Sequence, residues 1–346
     1  MNERAEWFLQ SPIASEDGRY VSFYPGGPVY GEITAYAISL ACIWYRRARD
    51  RRYLERARRS AEYLLEVSRP GVRGPTDQRI YVFDTGILAS GLLDLFATTR
   101  DASYLAEAKR RLDWLLAQFD GASLPATVPE ATAPGRGRGG GRRGWPLRRS
   151  IHLGKVALPF LKGWRATQRE EYRDAARRLF AWALPFQTPD GRFRISEADG
   201  ATMTHAHCYV TEAMLYGAWG GGGTLQDAGL REATERAANW LAQVQNADGS
   251  FYMWYGRRGP LRTKVSDATA QALRIWRIMG LHQDGAKRAE AYLQSVATQD
   301  GGLPNHVIQL GPFHWRQRRV YSWPTFFWHH ALGISFGDGA AAQEMF

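Results

Sequence analysis

The feature that most constrains this chain is an Asp-Gly pair that recurs a fixed distance behind a large aromatic residue. Trp182, Trp240 and Tyr292 each stand eight residues before such a pair: Asp190-Gly191, Asp248-Gly249 and Asp300-Gly301. Looser copies are Trp114 before Asp120-Gly121 and Trp7 before Asp17-Gly18, and the segment around Tyr63 keeps the helical pattern without the pair. Successive copies lie roughly 50 to 70 residues apart, and self-similarity of this kind marks a repeat architecture. Each unit is then one supersecondary element that cannot bury its apolar face alone.

Two helix types alternate along the chain. Before each Asp-Gly stands an amphipathic segment, such as Leu54, Ala57, Ala61, Leu64 and Leu65 at helical spacing with Arg51, Arg52, Arg56, Arg58 and Arg59 on the other faces. A helix of that kind has one buried face and one wet face. Between these lie segments with few charges and many small residues, including GEITAYAISLACIWY, FDTGILASGLLDLF and HAHCYVTEAMLYGAW. They predict helices buried on most sides, too short and too interrupted by polar groups to span a membrane. Six inner and six outer helices result only if the N-terminal helix around Trp7 and Phe8 partners the last inner segment, YSWPTFFWHHALGIS. An open solenoid needs polar caps at both ends, and this last segment is among the most apolar. The prediction is therefore an all-α, closed (α/α)6 toroid, one domain over residues 1–346, with a Gly/Pro/Arg-rich flexible loop at 119–150.

The formal charge is +11, with 45 basic residues of which five are lysines. Arginine on solvated outer faces accounts for it, and an anionic substrate is the alternative. No helix-turn-helix, zinc-finger or RNP-like motif points to nucleic acid. Cys42 and Cys208 fall in apolar segments and read as buried free thiols. With Glu3, Arg4 and Glu6 at the start and no apolar run there, the expectation is a cytoplasmic protein. No cofactor is expected, and a metal site through His205, His207 and Cys208 is the weakest reading of those residues.

The motif in WLAQVQNADGSF, aromatic-Leu-x-x-x-Gln with a nearby Asp-Gly-x-aromatic, resembles the repeat of terpenoid-cyclase and prenyltransferase toroids. The resemblance implies their fold. Their acid, diphosphate and zinc motifs are not found in this chain. VYGEITAYAI, VFDTGILASGLLDL and MTHAHCYVTEAML resemble segments of carbohydrate-active (α/α)6 proteins: uronyl hydrolases, sugar 2-epimerases, and uronate lyases or epimerases. The His-to-Glu spacing in HAHCYVTEAM departs from that of the epimerases.

In a ring of helical hairpins, one end of every inner helix converges on a central cavity, so the polar residues at the inner-helix starts are the candidates for chemistry. Around the ring these are Tyr30 and Glu32, Asp84, His152 with Arg148 and Arg149, His205 and His207, Asp267 with Lys264, and Trp323. Asp84 and Asp267 also suit helix capping. His205 and His207, two residues apart, cannot share a helix face. Carboxylates facing one pocket divide into acid and base because burial and repulsion separate their pKa values, and glycoside hydrolysis needs such a pair. Glu32, Asp84 and Asp267 are the expected pair members. Uronate lyase or epimerase chemistry needs a base such as His205, His207 or Tyr30 and a cation for the carboxylate. His152, Arg149 and Lys264 are expected to bind substrate. So are the aromatics Tyr24, Trp254, Tyr255, Trp315 and Trp323, whose flat faces suit pyranose rings. The leading expectation is hydrolysis of an oligo- or polysaccharide, acidic chains included. The alternatives are a uronate lyase or epimerase, a terpenoid-cyclase or prenyltransferase relative, and a non-catalytic glycan-binding or scaffold protein.

Overall fold

The structure, a computed structural model, describes residues 3–74, 79–128, 149–220, 225, 227–310, 313–316 and 319–346. Six helices form an inner ring: α2 (Gly31–Ala48), α4 (Val82–Thr99), α6 (Ala157–Thr167), α8 (Thr204–Trp219), α10 (Ser266–Met279) and α12 (Ser322–Leu332). Each packs on the next, and α12 packs back on α2, so the ring closes. Outside it lie α3 (Arg51–Val67), α5 (Ala102–Ala117), α7 (Glu170–Ala183), α9 (Ala228–Val244) and α11 (Gln283–Val296), with α1 (Glu3–Gln10) as the sixth. This is the expected (α/α)6 toroid. The third inner segment begins as a 3-10 run, Ile151–Val156, before α6. Pro159 lacks an amide N–H and so falls within the first turn of the α-helix proper, where that loss is tolerated.

The two ends of the ring differ because the connections differ. At one end, four of the inner helices stop at a left-handed residue, Arg49, Arg100, Gln168 or Gly280, and the outer helix after each starts almost at once. Asp50 and Asp101 accept from the backbone N–H of Arg52 and Ser103, capping α3 and α5. At the other end the Asp-Gly turns and long connections build the mouth. Gly249 has φ +91°, and a Cβ there would stand 2.1 Å from the Arg288 carbonyl of α11, so only glycine lets the turn lie against the neighbouring outer helix. The repeat's glutamine completes the joint. Gln245 Nε2 donates to the carbonyls of Gly249 and Gly285, and Gln187 Nε2 to those of Gly191 and Ala233.

The mouth also carries short strands, which the all-α expectation did not include. β1 (Phe23–Tyr24) pairs with β9 (Val320–Tyr321), and β2 (Ile80–Tyr81) pairs with β3 (Thr127–Val128). A five-stranded antiparallel sheet runs β4 (Thr202–Met203), β5 (Phe251–Gly256), β6 (Gly259–Val265), β7 (His306–Leu310) and β8 (Phe313–Arg316). Most of the expected 119–150 loop lies outside the described residues. α4 is long and apolar enough to cross a membrane by length and composition, contrary to the sequence reading, but it is an inner helix and most of it is buried in the ring.

Closure rests on aromatic contacts between α1 and α12. The Trp7 ring meets His329 edge-on at 5.1 Å, and Phe8 lies 5.5 Å from both Phe326 and Tyr20. Ser322 Oγ donates to the Val21 carbonyl at 2.5 Å. Losing one buried aromatic side chain costs about 3–5 kcal/mol. Deleting residues 1–12 is therefore expected to lower the melting temperature strongly, and an unchanged melting curve would contradict closure by α1.

Candidate active site at the ring mouth

Five inner α-helices begin in the same way. Their first turns follow an extended residue (Tyr30, Tyr81, Met203, Val265 or Tyr321) that makes no side-chain cap. Glu32, Asp84, His205, Asp267 and Trp323 therefore sit inside the first turn instead of at its cap, and five helix N-termini aim their positive dipole ends at one place. A cavity of about 330 Å³ lies there, at the small end of the range for ligand pockets, about 300–1,000 Å³. Its wall brings together Tyr30, Glu32, Asp84, His152, His205 and Asp267, with Trp254 and Trp323 among its aromatics.

Glu32 is half-buried. Burial pushes its carboxyl up to about 7, against the opposing hydrogen bonds from Tyr30 and Tyr209. The Tyr209 hydroxyl stands 3.4 Å from Glu32 Oε1. Tyr30 hydrogen-bonds with Asp84 as well. Burial and the charges of Asp84 and Glu32 hold its phenol well above the ordinary value, so it stays a donor between two carboxyls. Asp267 accepts from the Ala268 N–H at 2.6 Å and from Trp323 Nε1 at 3.3 Å, and its Oδ2 lies 3.8 Å from His205 Nδ1. His205 Nδ1 is 2.6 Å from the side-chain amide of Gln271, which holds the imidazole in its orientation. Burial, then the neighbouring His205, pushes His152 down to about 3, and it is neutral at ordinary pH.

Other expected site residues are used elsewhere. His207 points outward: its Nδ1 accepts from the Phe193 N–H and its Nε2 donates to the Ala237 carbonyl, with Trp240 at 4.6 Å. Lys264 is buried and bonded at 2.5 Å to Asp248, the aspartate of an Asp-Gly turn. Tyr255 alternates with Trp254 along β5 and donates to the Val244 carbonyl behind the sheet. Arg149 is exposed, pairs with Asp120 at 2.5 Å and lines a neighbouring groove. Tyr24 is 46% exposed on β1 and does not line the cavity. The Trp315 side chain and Arg148 lie outside the described residues. Among the described residues no group of three or more His, Cys, Asp or Glu could hold a metal ion.

Solved structures with this ring carry names from carbohydrate chemistry. Cellobiose 2-epimerase from Spirochaeta thermophila superposes with a TM-score of 0.74 at 14% identity, over 98% of this chain and 93% of that one. Unsaturated glucuronyl hydrolase from Bacillus sp. GL1 gives 0.67 at 17%, over 92% and 93%. A GH76 α-mannanase from Bacteroides thetaiotaomicron gives 0.65 at 16%, over 99% and 95%. The likeness is one of fold. No protein-family model matches the chain, and no curated protein matches it in sequence.

The toroid has a charged floor that the sequence reading missed. Glu212, Lys155 and Arg274 are wholly buried below the cavity. Lys155 Nζ lies 2.7 Å from Glu212 Oε2, and Arg274 holds Oε1 through Nε at 3.1 Å and through Nη2. Burial alone would raise the Glu212 carboxyl. The charges of Arg274 and Lys155 outweigh it and keep the carboxyl below its ordinary value. Lys155 lies 5.7 Å from the Tyr209 ring centroid, so the floor braces the residue that contacts Glu32. Tyr209, Asn305 and His306 also line the cavity without having been expected.

Proposed function

We propose that this protein is a carbohydrate-active enzyme that hydrolyses a glycosidic bond at the ring mouth, with Glu32 as the general acid. The observation that carries the reading is that three carboxyl side chains, Glu32, Asp84 and Asp267, line one cavity, where burial pushes the Glu32 carboxyl up to about 7. An acid of that pKa is about half protonated at neutral pH and gives up its proton readily. In the proposed step Glu32 passes its proton to the glycosidic oxygen, which takes the electron pair of the breaking carbon–oxygen bond. Water adds to the sugar carbon, and its proton goes to the carboxylate of Asp84 or Asp267. Trp254 and Trp323 offer the stacking faces. The sugar-processing names of the proteins that share the fold make sugars the first substrates to test.

A second reading has its own observation. His205 lines the cavity with Nδ1 at 2.6 Å from Gln271, and an imidazole is the kind of base that an epimerase or a uronate lyase needs. The two readings separate on a panel of neutral and uronate-bearing oligosaccharides assayed both for new reducing ends and for the ultraviolet-absorbing unsaturated uronate that a lyase leaves. Hydrolysis predicts new reducing ends without that unsaturated product, lost in Asp84→Asn and Asp267→Asn while ligand affinity stays within roughly tenfold. Turnover that survives both changes removes these acids from the mechanism.

A further inference from the structure

A groove of about 680 Å³ lies beside the cavity at the same mouth. The two share a wall. Trp254 lines both, and Ser150 on the groove side hydrogen-bonds His152 on the cavity side. The groove's other aromatic wall is Trp182, braced by Phe186 at 5.1 Å. Trp182 occupies the repeat position that Trp240 and Tyr292 fill in the other strict copies. Those two are closed over, at 3% and 4% exposure, and Trp240 is covered by Tyr255 and His207. Trp182 is only half-buried and faces the groove. An indole left open where its repeat mates are covered forgoes apolar burial and presents a flat face of the kind that stacks on sugar rings. Charge narrows the ligand. Among the described residues the groove has three carboxylates, Asp120, Glu197 and Asp199, against one guanidinium, Arg149, which Asp120 already holds at 2.5 Å. Three minus one leaves an excess of two negative charges, which repels a uronate carboxylate.

Resting on the hydrolase reading, we propose that this groove is a second sugar-binding region, taking neutral or amino-bearing pyranose rings of the same chain whose reacting unit occupies the cavity. The substrate is then an oligosaccharide long enough to reach from Trp323 past Trp254 to Trp182.

The test compares kcat/KM on neutral oligosaccharides of increasing length with kcat/KM on a short aryl glycoside. Trp182→Ala is expected to lower the long-to-short ratio by roughly tenfold through KM. An equal loss on both substrates, or no loss, overturns the proposal. Because Trp182 also packs on Phe186, a second variant at an exposed position guards against misfolding. Glu197→Lys is expected to raise affinity for uronate oligosaccharides by roughly tenfold relative to neutral ones, measured by calorimetry in the Asp84→Asn background. Unchanged preference also overturns the proposal. A wild type that turns over no glycan, yet binds neutral oligosaccharides in a Trp182-dependent way, sinks the hydrolase reading and keeps the groove.

Discussion

Replacing Glu32 by glutamine is expected to lower kcat/KM by about 10²- to 10⁴-fold, the range that a positioned general acid supplies. The wild-type profile should fall as pH rises through about 7, because only the protonated carboxyl can donate. Stability gives an independent readout of the same group. The folded carboxyl sits near 7 against an ordinary 4.5. A raised carboxyl favours the fold fully below its unfolded pKa, and that contribution is lost as pH climbs through the folded one. The wild type should therefore lose stability between about pH 4.5 and 7, and Glu32→Gln should not. The variant is expected to gain melting temperature over the wild type at neutral and higher pH while losing activity. A rate profile that stays level on both sides of neutrality would remove Glu32 from the acid role.

The second large effect is on the floor. Glu212→Gln leaves the Lys155 and Arg274 charges wholly buried without their shared carboxylate. Breaking a buried ionic cluster in this way costs about 3–5 kcal/mol, to be measured as a shift in the urea unfolding midpoint. The Glu212 carboxyl lies below its ordinary value of 4.5. Its contribution is therefore complete above about pH 4.5 and is lost only as acid takes the pH down through the folded pKa. An unchanged midpoint at neutral pH would mean that water or another group meets the charges, and that the floor does not brace Tyr209.

The ring was legible because its signals are local. The outer helices declare a wet face, the inner ones declare none, and the Asp-Gly turn needs a glycine wherever it lies against the next outer helix. The starts of the inner helices were legible for the same reason, and Glu32, Asp84, His152, His205 and Asp267 do meet at one cavity. The floor was missed because the inner helices look uniformly apolar. The available signal was a polar stripe at helical spacing. His205, Tyr209 and Glu212 follow it along α8, and Asp267, Gln271 and Arg274 follow it along α10. Lys264 and Tyr255 could not be placed from sequence, because strand register decides which face of a sheet each side chain takes. Lys264 therefore met Asp248 across a turn, and Tyr255 went behind the sheet that Trp254 fronts.

The central claim is that the ring mouth hydrolyses a glycosidic bond, and the fate of solvent atoms tests it most directly. A cleavable oligosaccharide from the panel is incubated with the protein in water enriched in ¹⁸O, and in parallel in D₂O, and the products are read by mass spectrometry and NMR. The account predicts chain shortening, ¹⁸O at the anomeric carbon released by the cleavage, and no deuterium on any ring carbon. Deuterium fixed on a ring carbon of an unshortened chain would contradict it and assign the cavity to His205 and epimerisation.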